Sequence, residues 1–151
     1  MNYIPQKLIT FSASETKKYA RLVSKTLKPG TWLGLTGDLG SGKTTFVQGV
    51  AKGLKIDDLV QSPTFVLIRE YKGKYNLVHI DLYRLKKGEV TDLGLEDYNL
   101  SKKVVVVEWA EKLPPDLRKD LINIHFETVS LNKRKINLNI IPKKRANKKN
   151  K

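Results

Sequence analysis

The chain has 151 residues, with 29 Lys and Arg against 15 Asp and Glu, a formal net charge of +14 and no cysteine. That length suits one domain with a proper core. The absence of cysteine excludes disulfides, thiolate metal sites and a cysteine nucleophile. No run of 18 apolar residues occurs, and "MNYIPQKLITF" lacks the layout of a signal peptide, so no membrane span is expected and a cytoplasmic location is.

In chain order, "KLITF" reads as a short strand. "SASE" follows as a capping box, with Ser12 as N-cap and Glu15 three residues on. Tyr19, Val23 and Leu27 then recur at helical spacing, and "KPG" closes the helix. "TWLGLTG" is a strand that runs directly into a glycine-rich stretch. Phe46, Val47, Val50, Ala51 and Leu54 beyond it share one face of a helix starting near Lys43.

"SPTFVLIREYKGKYNLVHIDLYRL" reads as two strands around the turn "KGK", necessarily antiparallel neighbours, so a mixed sheet is expected. Residues 86–99 are charged and irregular, with room for one or two short helices. The four valines of "KKVVVVEWAE" mark a central strand buried on both faces. "KLPPDL" is expected to be a loop. "LINIHFETV" and "KINLNII" alternate apolar and polar residues and should pair as a hairpin. The expected class is α/β, a sandwich with a mixed central sheet flanked by helices.

Nine of the Lys and Arg lie in residues 132–151, where there is no acid, which leaves +5 for the rest. We therefore expect a single domain over 1–142 and a disordered basic tail over 143–151. Such a tail can serve solubility alone or attract phosphate backbones or acidic partners, and it carries no specificity of its own.

Gly37-Asp38-Leu39-Gly40-Ser41-Gly42-Lys43-Thr44 matches G-x-x-x-x-G-K-[ST] between an apolar strand and an amphipathic helix, its confirming context. The glycines let the backbone wrap a phosphate. Successive N–H groups at a helix N-terminus then make an anion nest. Lys43 is expected to bridge β- and γ-phosphate oxygens, and Thr44 to ligate Mg²⁺. No N-K-x-D motif for reading guanine occurs, so ATP is the expected nucleotide, and residues 1–142 are expected to form a single P-loop ATPase domain, a P-loop NTPase-type sandwich.

The Mg²⁺ site needs an acid at the end of a buried strand beside the loop. Asp81 after "LVHI" and Glu108 after "VVVV" both fit, and the valine run favours Glu108. His79 faces the same side of its strand as Asp81 and could orient it or a water, or be a satisfied core group. Trp109 could touch nucleotide or partner, or simply pack in the core. Tyr83 and Arg84 could serve a partner surface or form a polar cluster at the strand end.

"GDLGSGKTTF", "SPTF", "HIDLYRL" and "VEWAEKL", in this order and at these spacings, resemble the TsaE (formerly YjeE) family, the small bacterial ATPase of tRNA threonylcarbamoyladenosine (t6A) formation. The resemblance runs from about Phe11 to Phe126 and omits the basic tail. It implies that Lys43, Thr44 and Thr45 bind phosphate and Mg²⁺, and that Glu108 is the acid near the metal, followed by Trp109. It implies that Asp81 is the acid of "HxDLYR" and that Ser62 and Thr64 belong to a switch loop on the γ-phosphate side. It places Ser12 and Thr16 near the adenine. The partners it implies are a carbamoyltransferase-like subunit and its paralogue, a TsaD–TsaB type heterodimer. Two other classes remain open from the residues alone: a small-molecule kinase, although residues 86–99 lack the paired arginines of a kinase lid, and a nucleic-acid module with a vestigial loop.

Overall fold

The structure, a computed structural model, describes residues 3–63 and 65–139. Thr64 and the basic tail therefore lie outside the described residues. Among those described, no helix is long and apolar enough to cross a membrane.

Strand β1 (Lys7–Thr10) leads into helix α1 (Ala13–Ser24). Ser12 caps α1 by accepting the N–H of Glu15 at 3.1 Å. The Glu15 carboxylate accepts in return from Phe11 N–H, one residue before the cap, at 2.7 Å. Strand β2 (Trp32–Gly37) ends in the glycine loop, and helix α2 (Lys43–Gly53) begins where the motif predicts. Strands β3 (Ile68–Tyr71) and β4 (Leu77–Asp81) pair antiparallel, as do β6 (Ile122–Thr128) and β7 (Arg134–Asn139). Between these pairs lies β5 (Val104–Glu108).

The seven strands form one sheet in the order β1-β7-β6-β2-β5-β4-β3. Its centre, β6-β2-β5-β4, is parallel, and the outer strands are antiparallel. Val104 to Val107 are all fully buried, because β5 is covered on both faces. With every central strand running the same way, the C-terminal ends of β2, β4 and β5 emerge at one edge, where ligands of open α/β sheets are held.

Alternation along the strands divides the core in two. Leu33, Leu35, Leu77, Val104, Val106, Ile124 and Phe126 face α1 and α2. The two helices cross at very close range because Gly49 and Gly53 present no side chain to α1. A Cβ on Gly49 would overlap the Lys17 carbonyl oxygen and come within 2.6 Å of the Ala20 Cβ, and one on Gly53 would overlap the Ser24 hydroxyl. Val78, Ile80, Val105 and Val107 point the other way, against Leu82, Val90, Leu113 and Leu121.

The two long helices share one face of the sheet. The other is covered mainly by short 3₁₀ helices over 87–93, 95–98 and 100–102. Gly94 and Asn99 take left-handed φ values of 65° and 52°, which breaks this stretch into separate turns. "KLPPDL" differs from expectation: Pro115–Arg118 forms one helical turn, α3. Pro115 supplies a helical φ at a first position that needs no N–H donor.

Candidate functional site

The loop between β2 and α2 is shaped by three glycines with positive φ: Gly37 (143°), Gly40 (76°) and Gly42 (104°). At Gly37 the reason is close approach: a Cβ would stand 2.6 Å from the Phe126 carbonyl oxygen. At Gly40 and Gly42 a Cβ would meet nothing within 4 Å, so the backbone there borders open space. Ser41 is fully buried, and its N–H bonds the Asp38 carbonyl at 3.1 Å, which closes the turn.

Lys43 is 5% exposed. Its ammonium donates to the carbonyls of Gly37 (2.6 Å) and Asp38 (2.9 Å) and lies 4.3 Å from the centre of the Trp109 ring. Burial pushes its pKa down. The nearby carboxylates of Glu108, Glu111, Asp81 and Asp38 work against that shift. Trp109 reaches this position because its backbone turns left-handed at φ 60°, ending β5 immediately after Glu108. The Tyr83 ring packs on it at 5.1 Å.

Both candidate acids face the α2 side of the sheet and pair in register, Asp81 opposite Glu108. Glu108 stands on β5, the immediate neighbour of β2, and Asp81 one strand further out. Glu108 is 2% exposed. Its Oε1 accepts from the Thr44 hydroxyl at 2.9 Å, and its Oε2 is 2.6 Å from His79 Nε2. Asp81 faces a different group. Its Oδ2 accepts from the Ser62 hydroxyl at 2.6 Å, and its Oδ1 from Tyr83 N–H at 2.9 Å. His79 therefore serves Glu108 rather than Asp81, contrary to one reading of its position. The reason is register: across the β4–β5 ladder His79 sits opposite Val106, two residues before Glu108 on the same face.

Of these groups, Lys43, Thr44, Ser62, Asp81, Tyr83 and Trp109 line one cleft of about 400 Å³, whereas Glu108 and His79 are not among its lining residues. Ser12, Thr16, Leu39, Gly40, Gly42 and Thr45 also line it, and Gly37, Asp38 and Ser41 of the glycine loop are not among its lining residues. Thr16 is turned away in part, its hydroxyl bonded to that of Thr10 at 2.7 Å. Arg84, expected near a partner surface, stacks 4.3 Å over the exposed Phe65 ring.

Sequence reasoning missed the tip of the β6–β7 hairpin. Leu131, Asn132 and Arg134 line the same cleft. Arg134 donates through Nη2 to the Gly40 carbonyl at 3.3 Å, while its Nη1 holds the carbonyls of Ser130, Leu131 and Lys133. In the sequence Arg134 is one member of a basic run, "KRK". Only the pairing of β6 beside β2 brings the hairpin over the loop.

The chemistry of this donor set suits a polyphosphate with a divalent cation. It combines an open glycine cradle at a helix start, a buried ammonium, and a hydroxyl joined to a buried carboxylate. A strand, glycine loop and helix of this kind, with a carboxylate from the next strand bonded to the threonine after the lysine, define a P-loop protein of the α/β class. A crystal structure of Bacillus subtilis YdiB has the same fold, with a TM-score of 0.72 and 37% identity over 91% of this chain and 87% of that one.

The particular family follows from the sequence matches. Residues 10–136 match the family model described as threonylcarbamoyl adenosine biosynthesis protein TsaE, and the chain belongs to that family. Among its relatives are tRNA threonylcarbamoyladenosine biosynthesis proteins TsaE. That of Bacillus subtilis is 42% identical over 128 residues, covering 84% of this chain and 80% of the relative. That of Treponema pallidum is 34% identical over 131 residues, covering 86% and 97%.

Proposed function

We propose that the chain is a Mg²⁺-dependent ATPase of tRNA t6A formation, acting on a carbamoyltransferase-like subunit and its paralogue, a TsaD–TsaB type heterodimer, in the cytoplasm. The observation that carries this reading is the 2.9 Å bond between Thr44 and Glu108 at the foot of the glycine loop. It joins the two residues expected at the metal, one of them directly after the lysine expected at the phosphates.

On this reading the loop N–H groups and Lys43 bind the triphosphate, and Thr44 and Glu108 hold Mg²⁺. Bound there, Mg²⁺ would neutralise charge on the phosphate oxygens. The bonds from Lys43 to the Gly37 and Asp38 carbonyls are exchanged for phosphate oxygens, a stronger partner for an ammonium. Asp81, tied to Ser62, links the site to the segment after α2, so a change at the phosphates can reach the exposed residues beyond. The family names of the relatives supply the tRNA modification. A weak ATPase that resets a partner complex needs only these parts.

The decisive experiment measures phosphate release from ATP with the chain alone, then with the heterodimer and tRNA. Slow Mg²⁺-dependent release that rises with the heterodimer is expected. Failure to bind ATP would overturn the reading, as would transfer of the γ-phosphate to a metabolite. The tail, residues 143–151, holds six Lys and Arg and no acid. We assign it non-specific contact with tRNA phosphates. Truncation after Pro142 should flatten the salt dependence of tRNA binding, and an unchanged slope rejects that role.

A further inference from the structure

His79 is fully buried on β4, beneath the cleft. Its Nε2 is 2.6 Å from Glu108 Oε2, while its Nδ1 is buried and has no partner among the described residues. An ionised carboxylate can only accept. The proton of that contact therefore belongs to Nε2. The carboxylate is then held at both ends, one oxygen by His79 and the other by Thr44. Without His79, Oε2 would be a desolvated oxygen lacking a donor, free to rotate toward the Thr44 side.

We propose that His79 is the positioning residue of Glu108. By donating Nε2–H to Oε2 it sets the rotation of the carboxylate, so that Oε1 alone is presented to Thr44 and to the divalent cation of the site. This rests on the reading of Thr44 and Glu108 as the metal end of the cleft. The chain Thr44–Glu108–His79 is a hydroxyl, a carboxylate and an imidazole on three different elements, α2, β5 and β4. Each fixes the next, so the metal end is pre-set by the parallel sheet rather than by the loop.

Two measurements test this. The chain has two histidines, so ¹⁵N spectra of the ring nitrogens are readily assigned. A protonated Nε2 on His79 is expected, and a bare Nε2 with protonated Nδ1 would overturn the proposal. The second compares His79→Gln, whose amide can place a donor near Nε2, with His79→Leu, which has none. Affinity for a fluorescent ATP analogue is read with Mg²⁺ and with a chelator.

For His79→Leu, Mg²⁺-dependent affinity should fall about 10- to 100-fold, the usual cost of losing an outer-shell partner, while metal-free affinity changes less than about twofold. His79→Gln should recover most of the loss. Equal losses with and without Mg²⁺, or no loss in either variant, would overturn it. If the native protein binds no nucleotide at all, the ATPase reading fails, and the imidazole spectrum still decides whether His79 donates to Glu108.

Discussion

The Thr44 hydroxyl and the Glu108 carboxylate stand 2.9 Å apart although 64 residues separate them in the chain. The contact exists because β5 lies directly beside β2 and ends level with the start of α2. It turns a glycine loop into a site with a carboxylate at its foot.

Glu108→Ala should leave metal-free ATP binding within a few-fold of native, weaken Mg²⁺-dependent binding at least as much as His79→Leu does, and reduce phosphate release by about 100-fold or more, because the carboxylate that would hold the cation is lost. The same variant orphans His79 Nε2 and should cost about 1–3 kcal/mol of stability. Single-turnover phosphate release and urea unfolding check the two parts, and an unchanged rate would remove Glu108 from the mechanism.

Lys43→Met should abolish nucleotide binding without lowering stability at neutral pH. Burial depresses the folded-state pKa of Lys43 below its ordinary value, so between the two values the unfolded chain holds more protons. Stability contributed by Lys43 is therefore gained as pH rises through that window and is lost as pH falls through the folded value. Urea midpoints across the alkaline range should climb less steeply in the Met variant. A steeper climb would contradict the burial effect.

Tyr19 acts in the opposite direction. It is 4% exposed, its hydroxyl donates to the Pro5 carbonyl at 2.6 Å, and burial pushes its pKa up to about 12 from 10.0. Its contribution is complete below pH 10 and is lost as pH rises toward 12. The loss is at most about 3 kcal/mol, from roughly 1.4 kcal/mol per pKa unit. Tyr19→Phe should flatten the alkaline fall in stability, and identical curves for the two proteins would refute this.

Gly49→Leu should destabilise the fold by about 3 kcal/mol or more, since the new side chain meets the Lys17 backbone and Ala20 and must force α1 away from α2. The cost should exceed the roughly 1 kcal/mol of helix propensity that replacing glycine gains. Thermal unfolding measures it, and a rise in Tm would show that the helices are not in close contact.

Arg134→Ala should weaken nucleotide binding about 3- to 10-fold while the fold persists, because the guanidinium ties the Gly40 carbonyl to the hairpin at the cleft mouth. Equilibrium binding of ATP checks this. Equal affinities for variant and native protein would leave the hairpin without a role at the site.

Much of the fold is legible in the order of the residues. The capping box of Ser12 and Glu15, the helix from Lys43, the two antiparallel pairs and the buried valine strand all follow from local pattern, because turns, caps and alternating burial act within a few residues. The cover of the second face was not legible there. Residues 86–102 have no period to count, and their 3₁₀ turns take shape only against Val78, Ile80, Val105 and Val107.

Residue type and short-range order were enough to define the glycine loop, its lysine and threonine, and a pair of strand-end acids. Long-range packing settled which acid meets Thr44, that His79 serves Glu108 and not Asp81, and that Arg134 reaches the loop. Strand order and register set those distances, and they are fixed by how all seven strands pack together, which no local stretch of the chain encodes.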